Sequence, residues 1–150
     1  MPSKSMQQTG FLILIAALGG TAVALQGQFM GIMDRLLGTS GSLFINYMTG
    51  AVVVSVIMLA QPGSLKAWTE VPIYAFTAGL LGLVIAGSIG YTVPRLGLST
   101  AFTILVTAQF VVALCLSHFG WFGAVQNPVT ISQVAGVGSL VLGVWLITGA

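Results

Sequence analysis

Residues 71–120 read VPIYAFTAGLLGLVIAGSIGYTVPRLGLSTAFTILVTAQFVVALCLSHFG, two long apolar runs that meet at Arg95, the single formally charged residue of the stretch. A bilayer core about 30 Å thick needs about 20 consecutive apolar residues per helix, and a charge at its centre costs roughly 2.5 to 3.5 kcal/mol. Each run is long enough for one crossing, so the charge is expected in the connection. The stretch therefore predicts two consecutive membrane helices.

The rest of the chain repeats this pattern. Its other formally charged residues also lie in gaps between apolar runs, at Lys4, Asp34, Arg35, Lys66 and Glu70. The intervals give five spans, at about 9–33, 40–60, 71–93, 96–120 and 130–148. A turn cluster, Gln61-Pro62-Gly63-Ser64, separates the second span from the third. We predict an all-α, polytopic membrane protein with five transmembrane helices in one domain, residues 1–150.

The connection between the third and fourth spans contains a proline. Val93-Pro94-Arg95 is expected to end the third helix, because proline lacks an amide donor and disfavours helical geometry at the residue before it. Small residues recur every four positions in three spans and predict seams where helices approach closely. These are Ala16, Gly20 and Ala24; Ala78, Gly82, Ala86 and Gly90; and Ala135, Ser139 and Gly143.

Composition excludes several classes of protein. With 57% hydrophobic and 4% charged residues, the chain cannot cover a soluble domain with polar surface. Its net charge of +2 comes from four Lys/Arg in separate loops, which form no basic patch, so no nucleic-acid partner is expected. A lone histidine, His118, cannot build a metal site, and Cys115 lies three residues from it without a third orienting group. We expect no enzyme activity, no catalytic residue, no metal and no cofactor.

The candidate site consists of polar side chains inside the spans. An unpaired amide in hydrocarbon costs several kcal/mol, so Gln26, Asn46 and Gln109 are expected to face the bundle interior. Gln28 is two residues from Gln26 and points to nearly the opposite face, which makes Gln26 the better cavity candidate. Together with Tyr91, these amides would supply hydrogen bonds to a substrate. Amides that only bond neighbouring helices are the alternative.

Charge distribution also predicts topology. Five spans place Lys4 and Lys66 on one side of the membrane and Arg35 and Arg95 on the other, a tie of two against two. Because the Lys/Arg excess normally fixes orientation, a tie predicts insertion both ways and an antiparallel homodimer with a two-fold axis in the membrane plane. No acidic residue is expected at membrane depth, so carboxylate-driven proton exchange is disfavoured. The alternatives are a single fixed orientation or a different protein as the inverted partner.

Several segments in order resemble a known family. They are Gly79 to Leu83, Gly90-Tyr91, Pro94 to Gly97, Thr107-Ala108-Gln109, His118 to Gly123 and Gly136 to Gly143. Across nearly the whole chain the sequence resembles the small five-helix YdcZ-type (DUF606) family of the drug/metabolite transporter superfamily. The resemblance implies half of a ten-helix inverted-repeat bundle, an exporter in the bacterial inner (cytoplasmic) membrane, and polar positions matching Gln26, Asn46 and Gln109.

The sequence departs from that family at two positions and from a related group at a third. Ser117 stands where an aspartate is expected before His-Phe-Gly, and Gly31 where an asparagine often follows the first-span glutamine. The first-helix glutamate of the small multidrug-resistance group is absent, which disfavours export of cationic drugs. We therefore expect a secondary transporter, an exporter by resemblance, for a small neutral or zwitterionic metabolite. A dual-topology channel, with Thr100, Thr103 and Thr107 along its path, and a non-transporting membrane subunit are the alternatives.

Overall fold

The computed structural model describes residues 4–61, 63 and 66–149, with side chains from residue 8 onward. Pro62 and Ser64 of the predicted turn cluster lie outside the described residues. The described part is all-α and contains no strand; its helices are α1 (Lys4–Ala60), α2 (Ala78–Leu96), α3 (Leu98–Phe119) and α4 (Ile131–Thr148). Short 3-10 helices cover Trp68–Glu70, Ile73–Thr77 and Trp121–Gly123. All four α-helices are long and apolar enough to cross a membrane.

α1 is interrupted at one residue. Gly38 has φ 71° and ψ 170°, a backbone conformation that is almost exclusive to glycine. A straight helix would separate Gln26 from Asn46 by about 30 Å, yet the two side chains are hydrogen-bonded to each other. The chain therefore turns back at Gly38, and α1 consists of an N-terminal arm (4–37) and a C-terminal arm (39–60).

Four formally charged residues lie in α-helices, where the sequence predicted gaps; one of them, Lys4, is the first residue of α1. Asp34 and Arg35 belong to the N-terminal arm of α1, and Arg95 belongs to the last turn of α2. The break at Gly38 falls within the predicted gap, but the helix continues past both charges before it. At membrane ends, helices routinely extend beyond the apolar run that predicts them.

The predicted end of the third span is also wrong. Pro94 lies inside α2, and the chain leaves helical geometry at Gly97, with φ 83° and ψ 157°. A proline near the end of a helix removes one backbone hydrogen bond, and Val93 before it is buried. Gly97 alone separates α2 from α3, so the short connection is confirmed although its position is shifted. The spans predicted at 96–120 and 130–148 match α3 and α4 within two residues.

The chain divides into two compact units, residues Met1–Arg95 and Leu96–Ala150. In the first unit, α2 packs on α1 through small residues. A Cβ added at Gly90 would lie 3.3 Å from Met30 Cε, and one added at Gly82 would lie 2.8 Å from the Tyr47 hydroxyl oxygen. Ala86, between these glycines, is buried. The predicted seam of α2 is thus confirmed as a packing surface.

The other two predicted seams differ from that of α2. A Cβ at Gly20 of α1 or at Gly143 of α4 would meet nothing within 4 Å.

In the second unit α4 packs against α3, and the start of α4 is stabilised by a capping box. Thr130 Oγ1 accepts from the backbone N–H of Gln133 at 3.3 Å, and Gln133 Oε1 accepts from the backbone N–H of Thr130 at 2.9 Å.

Candidate functional site

Two of the four predicted site residues are joined directly. Gln26 Nε2 donates a hydrogen bond to Asn46 Oδ1 at 2.9 Å, between the two arms of α1. The contact exists because the chain reverses at Gly38 and brings the two arms together. The bond leaves Gln26 Oε1 and the Asn46 Nδ2 hydrogens available for another molecule.

The amide pair faces a cavity of about 610 Å³. Its lining is mostly apolar and comes from both arms of α1: Ala22, Leu25, Gln26, Phe29, Met30, Met33, Ile45, Asn46, Thr49 and Gly50. The Thr49 hydroxyl already donates to the Ile45 carbonyl at 2.8 Å. The amides are therefore the main polar groups that the cavity offers, and none of its lining residues is formally charged. Gln28, as expected, is not among them.

The remaining two predicted site residues lie elsewhere. Tyr91 is on α2 and does not line this cavity; its ring lies beneath Arg95, with 3.7 Å between the ring centroid and the guanidinium carbon. Gln109 is exposed on α3 and belongs to the second unit. Within the first unit the structure thus joins Gln26 to Asn46, and substrate binding by any of the four residues stays a prediction.

A charged cluster next to the break in α1 was missed by sequence reasoning. The carboxylate of Asp34, whose side chain is 6% exposed, forms an ion pair with Arg95 at 3.4 Å. The Thr39 hydroxyl donates to Asp34 Oδ1 at 2.6 Å, which connects the two arms of α1 across Gly38. Asp34 and Arg95 are 61 residues apart, and the only sequence signal was that both flank predicted membrane ends.

The second unit contains a smaller cavity, of about 230 Å³, whose lining includes Cys115 and His118. His118 Nδ1 accepts from the backbone amide of Val129 at 3.2 Å, so the imidazole holds the segment before α4 against the end of α3. Among the described residues, no three His, Cys, Asp or Glu side chains gather where they could hold a metal ion.

The threonines proposed for a channel path bond to their own helix. Thr103 Oγ1 donates to the Ser99 carbonyl at 2.7 Å, and Thr107 Oγ1 donates to the Thr103 carbonyl at 2.8 Å. Both hydroxyl hydrogens are therefore used within α3. At these two of the three proposed positions, a polar path would have only the remaining lone pairs of the hydroxyl oxygens to offer to an ion.

Comparison with known proteins gives a family but no individual relative. The family described as "Putative inner membrane exporter, YdcZ" matches residues 11–146. Neither the curated proteins nor the solved structures include one that matches the chain. The family match extends through α2 and α3 and into both α1 and α4, the four helices apolar enough to cross a membrane. The chain is therefore a multi-pass membrane protein that belongs to the YdcZ family of membrane exporters.

Proposed function

We propose that the protein is a secondary transporter that exports a small uncharged metabolite across the bacterial inner membrane, without enzyme activity or a cofactor. The observation that carries this proposal is the Gln26–Asn46 pair facing a cavity of about 610 Å³ in a member of an exporter family. A cavity of that size falls within the range of small-molecule sites, which are mostly apolar with a few placed polar groups.

The chemistry of the lining favours one of the two expected substrate classes. Sequence analysis left neutral and zwitterionic metabolites open. A zwitterion would enter a cavity without a formally charged lining residue, and its charges would lose their hydration without compensation. A neutral molecule with an apolar body could pack on Phe29, Met30 and Met33 and place a carbonyl or amide against the free amide groups. We therefore favour a neutral substrate.

Five crossings of the membrane form part of this proposal. The segment Gln8–Ala60 has 53 residues, or about 80 Å as a straight helix, against a hydrocarbon core of about 30 Å. The break at Gly38 and the contact between the arms favour two crossings from α1. Together with α2, α3 and α4 these would give the five helices of one half of an inverted-repeat bundle.

Alternating access would require a second, inverted half. We propose that it is another copy of this chain, inserted in the opposite orientation and related by a two-fold axis in the membrane plane. The balanced Lys/Arg count supports this assembly. A site near such an axis would be exposed to each side in turn as the two copies exchange conformations.

Substitution of the amides tests the proposed site. Gln26→Leu and Asn46→Leu remove the polar groups of the cavity, and Gln109→Leu tests the predicted residue of the second unit. Gln28→Leu is the matched control, since it changes an amide of the same arm outside the cavity lining. Purified variants are screened against a metabolite panel for ligand-dependent thermal stabilisation, with helix content and elution volume measured in parallel.

The outcome separates binding from helix association. If the amides bind substrate, Gln26→Leu and Asn46→Leu stay folded and lose stabilisation by a metabolite that stabilises the wild type and Gln28→Leu. At a ligand concentration 100 times its Kd, that loss is about 2.7 kcal/mol. Unfolded variants would show that the amides mainly join helices, and a wild type that no metabolite stabilises would favour a non-transporting subunit.

Orientation is tested by labelling intact vesicles from each side. Cys115 is replaced and a single reporter cysteine is placed at Gln61, after the C-terminal arm of α1. We expect labelling from both sides. Lys66→Glu should lock the orientation, so that activity requires an oppositely locked copy; full activity of one locked form alone would refute the antiparallel homodimer.

A further inference from the structure

We propose that Asp34 is a proton-binding site at which a proton competes with Arg95, so that proton binding releases α2 from the break in α1 and couples proton movement to transport. The proposal rests on the transport function above and supplies its coupling ion. Sequence analysis disfavoured carboxylate coupling because it placed Asp34 in a loop. The structure places the residue in α1, with its carboxylate buried between Thr39 and Arg95.

The two oxygens of Asp34 have different partners. Oδ1 accepts from the Thr39 hydroxyl at 2.6 Å, and Oδ2 faces the Arg95 guanidinium at 3.4 Å. A proton added to Oδ2 leaves Oδ1 as a carbonyl oxygen that still accepts from Thr39. Protonation would therefore remove the link from α1 to α2 and preserve the link across Gly38.

Arg95 keeps other partners when its contact with Asp34 is lost. Its NH1 donates to the Tyr91 carbonyl at 2.6 Å, and its guanidinium carbon lies 3.7 Å from the centroid of the Tyr91 ring. The 3.4 Å contact with Asp34 is longer than the 2.7–2.9 Å typical of charge-assisted hydrogen bonds. Arg95 is also 49% exposed, so water can solvate its charge. A proton thus competes against a loose contact, and the arginine keeps its positive charge throughout.

Few other charges act on Asp34. Arg35 is its neighbour on α1, and Tyr91 and Arg95 are the titratable groups at the adjoining end of α2. Lys66 and Glu70 precede α2, whose 19 residues separate them from Arg95. Glu70 is the only other acidic side chain in the sequence. The proton site therefore consists of one carboxylate with one cation as its competitor.

The wall of the candidate cavity continues into this cluster. Met33, next to Asp34 in sequence, lines the cavity. Met30 lines it as well and lies against α2, where its Cε is 3.3 Å from the position of a Cβ on Gly90. Val93 of α2 is about one turn closer to Arg95 than Gly90 is. Its Cγ1 would lie 3.0 Å from a Cβ added at Gly31 of α1. Release of this end of α2 would free the side of the α1 arm that carries both methionines.

Access to the cavity measures the release without any substrate. In the full chain with Cys115→Ser, a reporter cysteine replaces Met30, which lines the cavity and is buried against α2. In a second protein the reporter replaces the exposed Ser55, outside the cavity. Reaction rates with a methanethiosulfonate reagent are measured at pH 7.5 in detergent. Asp34→Asn mimics the protonated carboxyl, and Glu70→Gln is the matched control.

We expect Asp34→Asn to raise the Met30 reporter rate about tenfold, which corresponds to a shift of about 1.4 kcal/mol between closed and open states. The Ser55 reporter and Glu70→Gln should stay at the wild-type rate. Lowering the pH, with rates normalised to the same reporter in denatured protein, should raise the wild-type rate and leave the Asp34→Asn rate unchanged. An unchanged Asp34→Asn rate at pH 7.5, or a pH response that persists in this variant, would overturn the proposal.

Infrared spectroscopy covers the case in which Asp34→Asn does not fold. In Glu70→Gln, Asp34 is the only carboxylic side chain of the sequence, so a protonated side-chain carboxyl band belongs to it. We expect this band to grow in parallel with the Met30 reporter rate as the pH falls. A band that grows at a constant reporter rate would show that the proton does not open the cavity. Because neither measurement uses a substrate, this proposal and the proposed metabolite site can fail separately.

Discussion

Gly90 offers the sharpest test of how α2 packs against α1. A Cβ at this position would lie 3.3 Å from Met30 Cε and 3.5 Å from Ser42 Oγ. Met30 is 1% exposed and Ser42 is 0% exposed, so both are packed where the new side chain would lie. Gly90→Leu would place a branched side chain where even one extra carbon requires its neighbours to shift.

The expected change in the free energy of unfolding of Gly90→Leu is the sum of two opposing contributions. Overpacking a close-packed site costs about 1–3 kcal/mol, and replacing a helical glycine by leucine gains roughly 0.8 kcal/mol of helix propensity. Gly79→Leu is the matched control on the same helix, because Gly79 is exposed and a Cβ there would meet nothing within 4 Å. Both variants gain the same propensity, so their difference isolates the packing cost, about 1–3 kcal/mol.

The free energy of unfolding is measured by titration from dodecylmaltoside into sodium dodecyl sulfate, with circular dichroism as the readout. We expect Gly90→Leu to be less stable than Gly79→Leu by the packing cost. Equal stability of the two variants would refute the close approach of α2 to Met30 and Ser42. A loss of stability in Gly79→Leu alone would place the packed contact at the start of α2 and not at Gly90.

Three further substitutions probe single structural features, and the same detergent titration measures each. Gly38→Ala should cost about 1–3 kcal/mol, because the backbone conformation at the break is strained for any residue with a Cβ; Gly20→Ala, at a helical glycine with open surroundings, should be neutral or stabilising. Thr130→Ala should cost about 0.5–2 kcal/mol through loss of the capping box of α4. His118→Phe should cost about 1–3 kcal/mol, since the Val129 amide loses its acceptor, and stability equal to wild type would contradict that role.

The sequence predicted the membrane helices well, because the free energy of placing a helix in the bilayer depends mainly on its amino-acid composition. A bilayer requires about 20 apolar residues wherever a helix crosses, so the charge-free runs at 96–120 and 130–148 located α3 and α4 closely. The contact between Gln26 and Asn46 was not predicted, although both residues belonged to the predicted site. Each amide alone is costly in hydrocarbon, which implies a polar partner or a wet cavity for each, and in the structure they are partners of each other.

What could not be predicted depends on particular backbone angles and long-range contacts. The break at Gly38 falls within the gap predicted between the first two spans, but the sequence did not identify which residue of that gap makes it. Pro94 was assigned to a helix end because local geometry disfavours it within a helix, but it costs little in the last turn before Gly97. The Asp34–Arg95 pair joins residues 61 positions apart, beyond the reach of any local pattern.

That pair also bears on how the chain chooses its orientation. It places Asp34 and Arg95, and with them Arg35, at the same end of the first unit, as the topology prediction required. The reversal at Gly38 places the start of α1 and the residues that follow Ala60 away from that end. Orientation depends on Lys and Arg, and acidic residues contribute little. With five crossings, as proposed, the ion pair leaves the count at two against two. In the proposed proton site, Arg95 would be the one of those four cations that loses its partner when Asp34 binds a proton.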